Sequence, residues 1–363
     1  MPTQWIMLRA ILALIGLTAA MTIHAQEYRL LVGTYTENTS AEGVYLYSFD
    51  SKRADATLLD MAPSGNPSFV ITNPEKSMVY CVNEFNDGRQ GVSSFILEGN
   101  TLKGLNAVTM PGGEDPCNLL FAGETIISSN YTGGSVTAFE LADNGSILGL
   151  TQNYIPEGSG TAHMHCAVTS PDGKYIFVTN LGMDCIHRFE IEDGPEEPLD
   201  DAAVVWKNRK RAKFGPRHMV FSADGRYAYL LCELGDKLVV FEYEGGELTP
   251  IQTLTAYKGK GHGSADIHIS PDGRFLYTSH RLKEDGIAIF SINQATGKVK
   301  KAGYRTTGIH PRNFAITPDG NWLLCACRDD NRIEIYSINK ETGALTSTGR
   351  AIEVGAPVCV QIL

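Results

Sequence analysis

A strand–turn–strand pattern recurs along this chain at intervals of 46 to 51 residues, and few folds absorb such a repeat. It is plainest in "HCAVTSPDGKYIFVTNL" (165–181), "PRHMVFSADGRYAYLLCE" (216–233), "ADIHISPDGRFLYTSHR" (265–281) and "PRNFAITPDGNWLLCACR" (311–328), with further copies at 66–84 and 116–131. Pro and Asp-Gly sit where a tight reversal needs a preset φ and a left-handed residue. The flanks alternate or run apolar and are rich in Val, Ile, Phe and Tyr, as strands are. A third strand follows each hairpin, as in "KLVVFEY" (237–243) and "GIAIFSI" (286–292).

The two ends of the chain complete one another. "YRLLVGTYT" (28–36) and "GVYLYSF" (43–49) fit the second and third strands of a unit that lacks its first, and "PVCVQIL" (357–363) is a first strand cut off before its turn. Such mutual completion predicts a closed ring. The expected fold is all-β: a seven-bladed β-propeller with four antiparallel strands per blade, the last blade built from both termini. A linear β-solenoid needs no completion of this kind, and helical repeats fail because the periodicity stays near two.

Residues 1–25 stand apart. Arg9 precedes the uncharged run "AILALIGLTAAM" (10–21), and Ala25 offers a cleavage point. The segment 1–25 therefore reads as a secretory signal peptide and 26–363 as one propeller domain, in a periplasmic or secreted protein with no membrane association beyond export. With 41 acidic against 31 basic residues the net charge is −10, which disfavours nucleic acid as a partner. A local arginine cluster in an acidic chain still suits a small anion. The eight cysteines form no CxxC pair and lie in apolar runs, so they read as buried small side chains. A monomer or weak dimer is expected.

Within each hairpin the start of the first strand lies beside the end of the second. Arg217 and Glu233 are equidistant from the turn residue Gly225, so they are predicted to meet at one rim of the central channel. Aligning strand starts puts Ser68, Cys117, Cys166, Asp266, Arg312 and Val358 in the place of Arg217, and Glu84, Tyr131, Leu181, Arg281 and Arg328 in that of Glu233. His163 and His165 share a strand face. One rim thus collects His165, Arg217, Glu233, Asp266, Arg281, Arg312 and Arg328, whereas the opposite rim carries turns.

Charges at strand ends often only solvate a rim or pair across blades. Imidazole, carboxylate and several guanidinium groups converging on a concave site argue instead for chemistry. His218 and His268 should face away from their neighbours, as packing or hydrogen-bonding residues. His163, His165 and Asp266 have donor types that suit a metal, but no ligand spacing supports one, so neither metal nor cofactor is expected. Nucleophile-elbow, zinc-protease, P-loop and dinucleotide motifs are absent from the sequence.

"VGTYT" (32–36), "HMH" (163–165) leading to SPDG, "GPRHMVF" (215–221) followed by "YAYLLCEL" (227–234), and "ADIHISPDGRFLYTSHR" (265–281) resemble the seven-bladed propeller lactonase family. That family includes the bacterial propeller-type 6-phosphogluconolactonase and the fungal carboxymuconate lactonizing enzyme. The resemblance spans nearly all of the chain after the leader. It implies a catalytic group of His165, Arg217, Glu233 and Arg281; position on the rim leaves His163, Asp266, Arg312 and Arg328 as substrate-binding candidates. Ala162 stands where the family often has proline, and an exported enzyme would not ordinarily meet a sugar phosphate.

The expected function is hydrolysis of a sugar lactone, 6-phosphogluconolactone-like, at the mouth of the propeller. Glu233 or His165 takes a proton from the attacking water and returns it to the leaving alkoxide. Arg217 stabilises the oxyanion, and Arg281, Arg312 or Arg328 holds the substrate's anionic tail or hydroxyls. The partner is then a small-molecule lactone or sugar acid. Two alternatives are a carboxymuconate-type lyase or cycloisomerase using the same groups, and a non-catalytic propeller that binds a glycan or a protein.

Overall fold

Each reversal of the SPDG type is closed by the same set of bonds. In blade 3 the Ser170 amide donates to Tyr175 O at 2.8 Å and the Gly173 amide to Ser170 O at 3.0 Å, while Ser170 Oγ donates to Asp172 Oδ1 at 2.5 Å. Gly173 takes φ 73°, a left-handed value that a side chain would strain. Ser222–Gly225, Ser270–Gly273 and Thr317–Gly320 repeat the arrangement.

The structure is a computed structural model that describes residues 26–158, 161–191, 198–259 and 261–363; the signal peptide expected over 1–25 lies outside them. The described strands form seven four-stranded antiparallel sheets, one per blade. The innermost strands of blades 1 to 7 are Val70–Thr72, Pro116–Ala122, Met164–Thr169, Pro216–Phe221, Ser264–Ile269, Pro311–Ile316 and Pro357–Ile362. Strands two to four of each blade follow in chain order, except in blade 7. There Pro357–Ile362 pairs with Glu27–Thr34 from the other end of the chain, with Leu30 opposite Ile362 and Val32 opposite Val360. The expected seven-bladed ring, closed by both termini, is the observed one.

The core lies between blades rather than inside any one of them, because a twisted sheet buries its faces against its neighbours. Tyr229, Leu231, Leu238 and Val240 of blade 4 pack on Ile267, Leu276, Ala288 and Phe290 of blade 5. Blade 7 contributes Leu30, Val32 and Phe49 to a cluster with Leu324, Ala326 and Ile333 of blade 6. The cysteines belong to this packing, since all eight are free and buried. At the closing seam Gly33 permits a close approach: a Cβ there would stand 2.3 Å from Pro67 O and 2.9 Å from a Val70 methyl of blade 1.

Deleting 357–363 should therefore abolish cooperative thermal unfolding, because it bares the backbone edge of Glu27–Thr34 and removes Val358, Cys359 and Val360 from the core. A sharp calorimetric transition in the truncated chain would refute the dependence on closure.

Candidate active site

The innermost strands share an irregularity at one height. Pairing with the second strand slips by one residue between Pro116 and Asn118, Met164 and Cys166, Pro216 and His218, and Pro311 and Asn313, and also between Ser264 and Ile267. A β-bulge inserts an unpaired residue and re-aims its side chain. In blades 2, 3, 4 and 6 that residue is Cys117, His165, Arg217 or Arg312. Counting back from the turns, His165 and Ala265 stand in the place of Arg217, while Cys166 and Asp266 stand in that of His218. The alignment by strand starts is thus one residue out in blades 3 and 5.

Two rings result. The outer one carries Arg217, His165 and Arg312, with Glu233, Arg281, Arg328, Glu84, Tyr131 and Tyr35 at the facing strand ends. The inner one carries His218, Asp266 and Asn313. The bulge also corrects the expected orientation of His218. Instead of facing away from the cluster it meets His165 at 5.2 Å between ring centroids, and Phe69 of blade 1 at 6.5 Å.

Glu233 is the centre of the outer ring. Its Oε2 accepts from Arg217 Nε at 2.9 Å and its Oε1 from Arg281 Nη2 at 2.7 Å. Arg217 is fixed further by a 2.5 Å bond to Ala265 O, and Arg281 by bonds to Gly263 O at 3.1 Å and His310 Nε2 at 3.4 Å. The arginines are almost fully buried, whereas the Glu233 side chain keeps 19% of its surface exposed. Burial alone would raise the Glu233 carboxyl, but the Arg281 and Arg217 cations outweigh it and hold the group below its ordinary value. Burial pushes the Arg281 guanidinium down, helped by Arg217 and opposed by Glu233.

His165 lies beside this pair, 4% exposed, its Nδ1 buried without a hydrogen-bond partner among the described residues. Burial, then Arg217, His218 and Arg312, press its pKa well down, so the ring is neutral at physiological pH. Arg312 approaches from blade 6. It reaches Glu84 Oε2 at 3.5 Å and lies over the Tyr35 ring, 5.4 Å from its centroid. Glu84 also accepts from the Tyr35 hydroxyl at 2.8 Å and from Ser68. His163 stacks on Tyr131 at 4.4 Å.

Two candidates sit elsewhere. Asp266 is one ring deeper with its oxygens already occupied: Oδ1 by His218 Nδ1 at 2.7 Å and the Ile267 amide, Oδ2 by His268 Nε2 at 2.9 Å, Asn313 Nδ2 at 2.6 Å and the Phe314 amide. Such saturation makes it a hub of the channel wall, and His163, His165 and Asp266 do not converge on one point. Arg328 lies on the rim, bonded through Nε to Asp329 Oδ1 at 2.6 Å, and about a third of its side chain is exposed. The sequence pattern alone overlooks Tyr35 and gives no role to Glu84 or Tyr131. Placing "VGTYT" in register as a second strand would have brought Tyr35 into the column of Glu233.

The arrangement offers a charged carboxylate, a neutral imidazole and three guanidinium groups at the mouth of a channel, a set suited to moving a proton and stabilising an oxyanion. The family model described as "Lactonase, 7-bladed beta-propeller" matches residues 29–362. A Formosa agariphila protein named 6-phosphogluconolactonase is 34% identical over 352 residues, 92% of this chain and 99% of that one. A solved structure from Bacteroides fragilis, 38% identical, superposes with a TM-score of 0.87 over 93% of this chain and 98% of its own. The periplasmic gluconolactonase of Pseudomonas aeruginosa, 29% identical, does so at 0.86 over 93% and 99%.

The carboxylate also matters for stability. Glu233→Gln leaves two buried cations without their counter-charge and should cost about 3 kcal/mol at pH 7. Because the folded-state pKa is depressed, that contribution is present above the ordinary glutamate value of about 4.3 and is lost as pH falls through the lower folded value. Denaturant titrations of both proteins should show the gap closing only below about pH 4.3. A gap that stays constant to about pH 3 would contradict the assignment.

Proposed function

Since the chain belongs to the seven-bladed β-propeller lactonase family and has relatives named 6-phosphogluconolactonase, we propose that it opens a sugar lactone at the Arg217–Glu233–Arg281 cluster. The observation that carries this reading is the partly exposed Glu233 carboxylate, clamped by two buried arginines at the channel mouth. Glu233 acts as the general base. It keeps its charge at neutral pH and meets the channel, whereas His165 is buried beside it and lines the wall. Water attacks the carbonyl carbon as Glu233 takes its proton. The carbonyl oxygen becomes an oxyanion beside Arg217, with donors already in place before reaction. Collapse breaks the ring C–O bond and releases the hydroxy acid.

Arg312, whose one ion pair among the described residues is the longer contact to Glu84, is the guanidinium best able to turn to the substrate's hydroxyls or anionic tail. The apolar run at 10–21 and the periplasmic Pseudomonas relative favour export and an unphosphorylated sugar lactone.

The test is hydrolysis of glucono-δ-lactone and its 6-phosphate by the chain from Gln26 onward, corrected for spontaneous opening. Wild type should open the unphosphorylated lactone, and Glu233→Gln, checked to be folded, should lose about 10²–10⁴-fold in kcat. Wild-type turnover in that variant would remove Glu233 from the reaction. Activity confined to the phosphate would reverse the assignment of substrate.

A further inference from the structure

We propose that Tyr131 is a catalytic residue of the lactone hydrolysis proposed above, on which this inference rests: its phenolic O–H protonates the ring oxygen as that oxygen leaves. Tyr131 directly follows the second strand of blade 2, at the height of Glu233 and two blades from it, and its amide is tied to Asp115 O at 2.9 Å. The ring is held on two sides. His163 stacks on it at 4.4 Å with an interplanar angle of 12° and bonds through Nδ1 to Tyr131 O at 2.8 Å, and His165 meets it edge-on at 5.8 Å.

The mouth has a second tyrosine in the same column, and the two differ in one respect. The Tyr35 hydroxyl is already bonded to Glu84. That of Tyr131 is bonded to no side chain among the described residues. The side chain is half-buried, and burial raises its pKa. The charged side chains acting on it are Glu233, which raises it further, and Arg217 and Arg281, which oppose. The ring lies at the same rim as Glu233, on the side of the two histidines.

The chemistry needs a donor in that position. An aliphatic alkoxide is a far stronger base than a phenolate, whose conjugate acid has a pKa of about 10, so the leaving oxygen takes a proton from tyrosine downhill. Glu233 accepts one proton from water as the new C–O bond forms. The ring C–O bond breaks with its electron pair going to the ring oxygen, which takes the proton of Tyr131. The phenolate then stands near Arg217 and Arg281, and the proton held by Glu233 returns to it. One water is consumed, and both groups end as they began.

Tyr131→Phe keeps the stack on His163 and removes only the donor. On glucono-δ-lactone its kcat should fall about 10²-fold with KM within about threefold of wild type. Dihydrocoumarin supplies the contrast, because its leaving group is itself a phenol and needs no acid. There the variant should stay within about threefold of wild type. Wild-type kcat on gluconolactone overturns the proposal, and so does an equal loss on both substrates, the mark of a purely structural residue. A wild-type enzyme inactive on every lactone would instead overturn the underlying reading of function.

Discussion

Backbone hydrogen bonds between the first and last strands hold the molecule closed, and the site depends on that closure. Leu30–Thr34 and Pro357–Ile362 come from opposite ends of the chain, yet they pair as neighbours in blade 7. Until they meet, blades 6 and 1 each lack a face to bury against, because the apolar clusters are shared between adjacent blades. Closure also sets the spacing of the groups at the mouth. Tyr35 reaches Glu84 across the seam, and Arg312 of blade 6 reaches the same carboxylate across blade 7. The ring thus acts as a frame that fixes side chains from distant stretches of the sequence within hydrogen-bond range.

Inside the frame, charge is compensated pair by pair. Arg217 and Arg281 are both nearly buried on adjacent blades and would repel each other without Glu233 between them. Deeper in the channel, Asp266 is held by hydrogen bonds to His218 and His268. Removing a charged group from water costs several kcal/mol, so such groups persist in a channel wall only when geometry satisfies them. A carboxylate with both oxygens engaged in this way is already oriented before substrate arrives, which lowers the reorganisation that reaction requires.

Much of the architecture was legible because its signals are local and repeated. Asp-Gly turns and period-two strands recur at a near-constant spacing, and the chain ends fit the same template. Arg217 and Glu233 could be paired from their equal distance to Gly225, and Arg281 could be placed in the column of Glu233, whereas its bond to that carboxylate joins two blades and shows only in the structure. The second column was harder. A bulge is a backbone event with no residue signature of its own in these strands, so strict alternation turned His218 away from its neighbours and alignment by strand starts put Asp266 in the outer ring. The partners that saturate Asp266 come from three innermost strands and are invisible along any one of them. The same holds for Tyr131, whose neighbours His163 and His165 lie on the next blade.

The bulges carry a consequence for how such a molecule can diversify. In an ordinary strand every second residue belongs to the inter-blade core, so a change at the channel is hemmed in by packing on either side. Here successive residues such as Arg217 and His218 both escape that packing, and the slip recurs in five of the seven blades. The channel therefore presents two stacked circles of positions that lie outside the inter-blade apolar packing and are tied to the frame by hydrogen bonds and ion pairs instead. New specificities are open there without repacking the apolar core, provided that charged partners change together, and the blades are free to drift in sequence while the circles keep their chemistry.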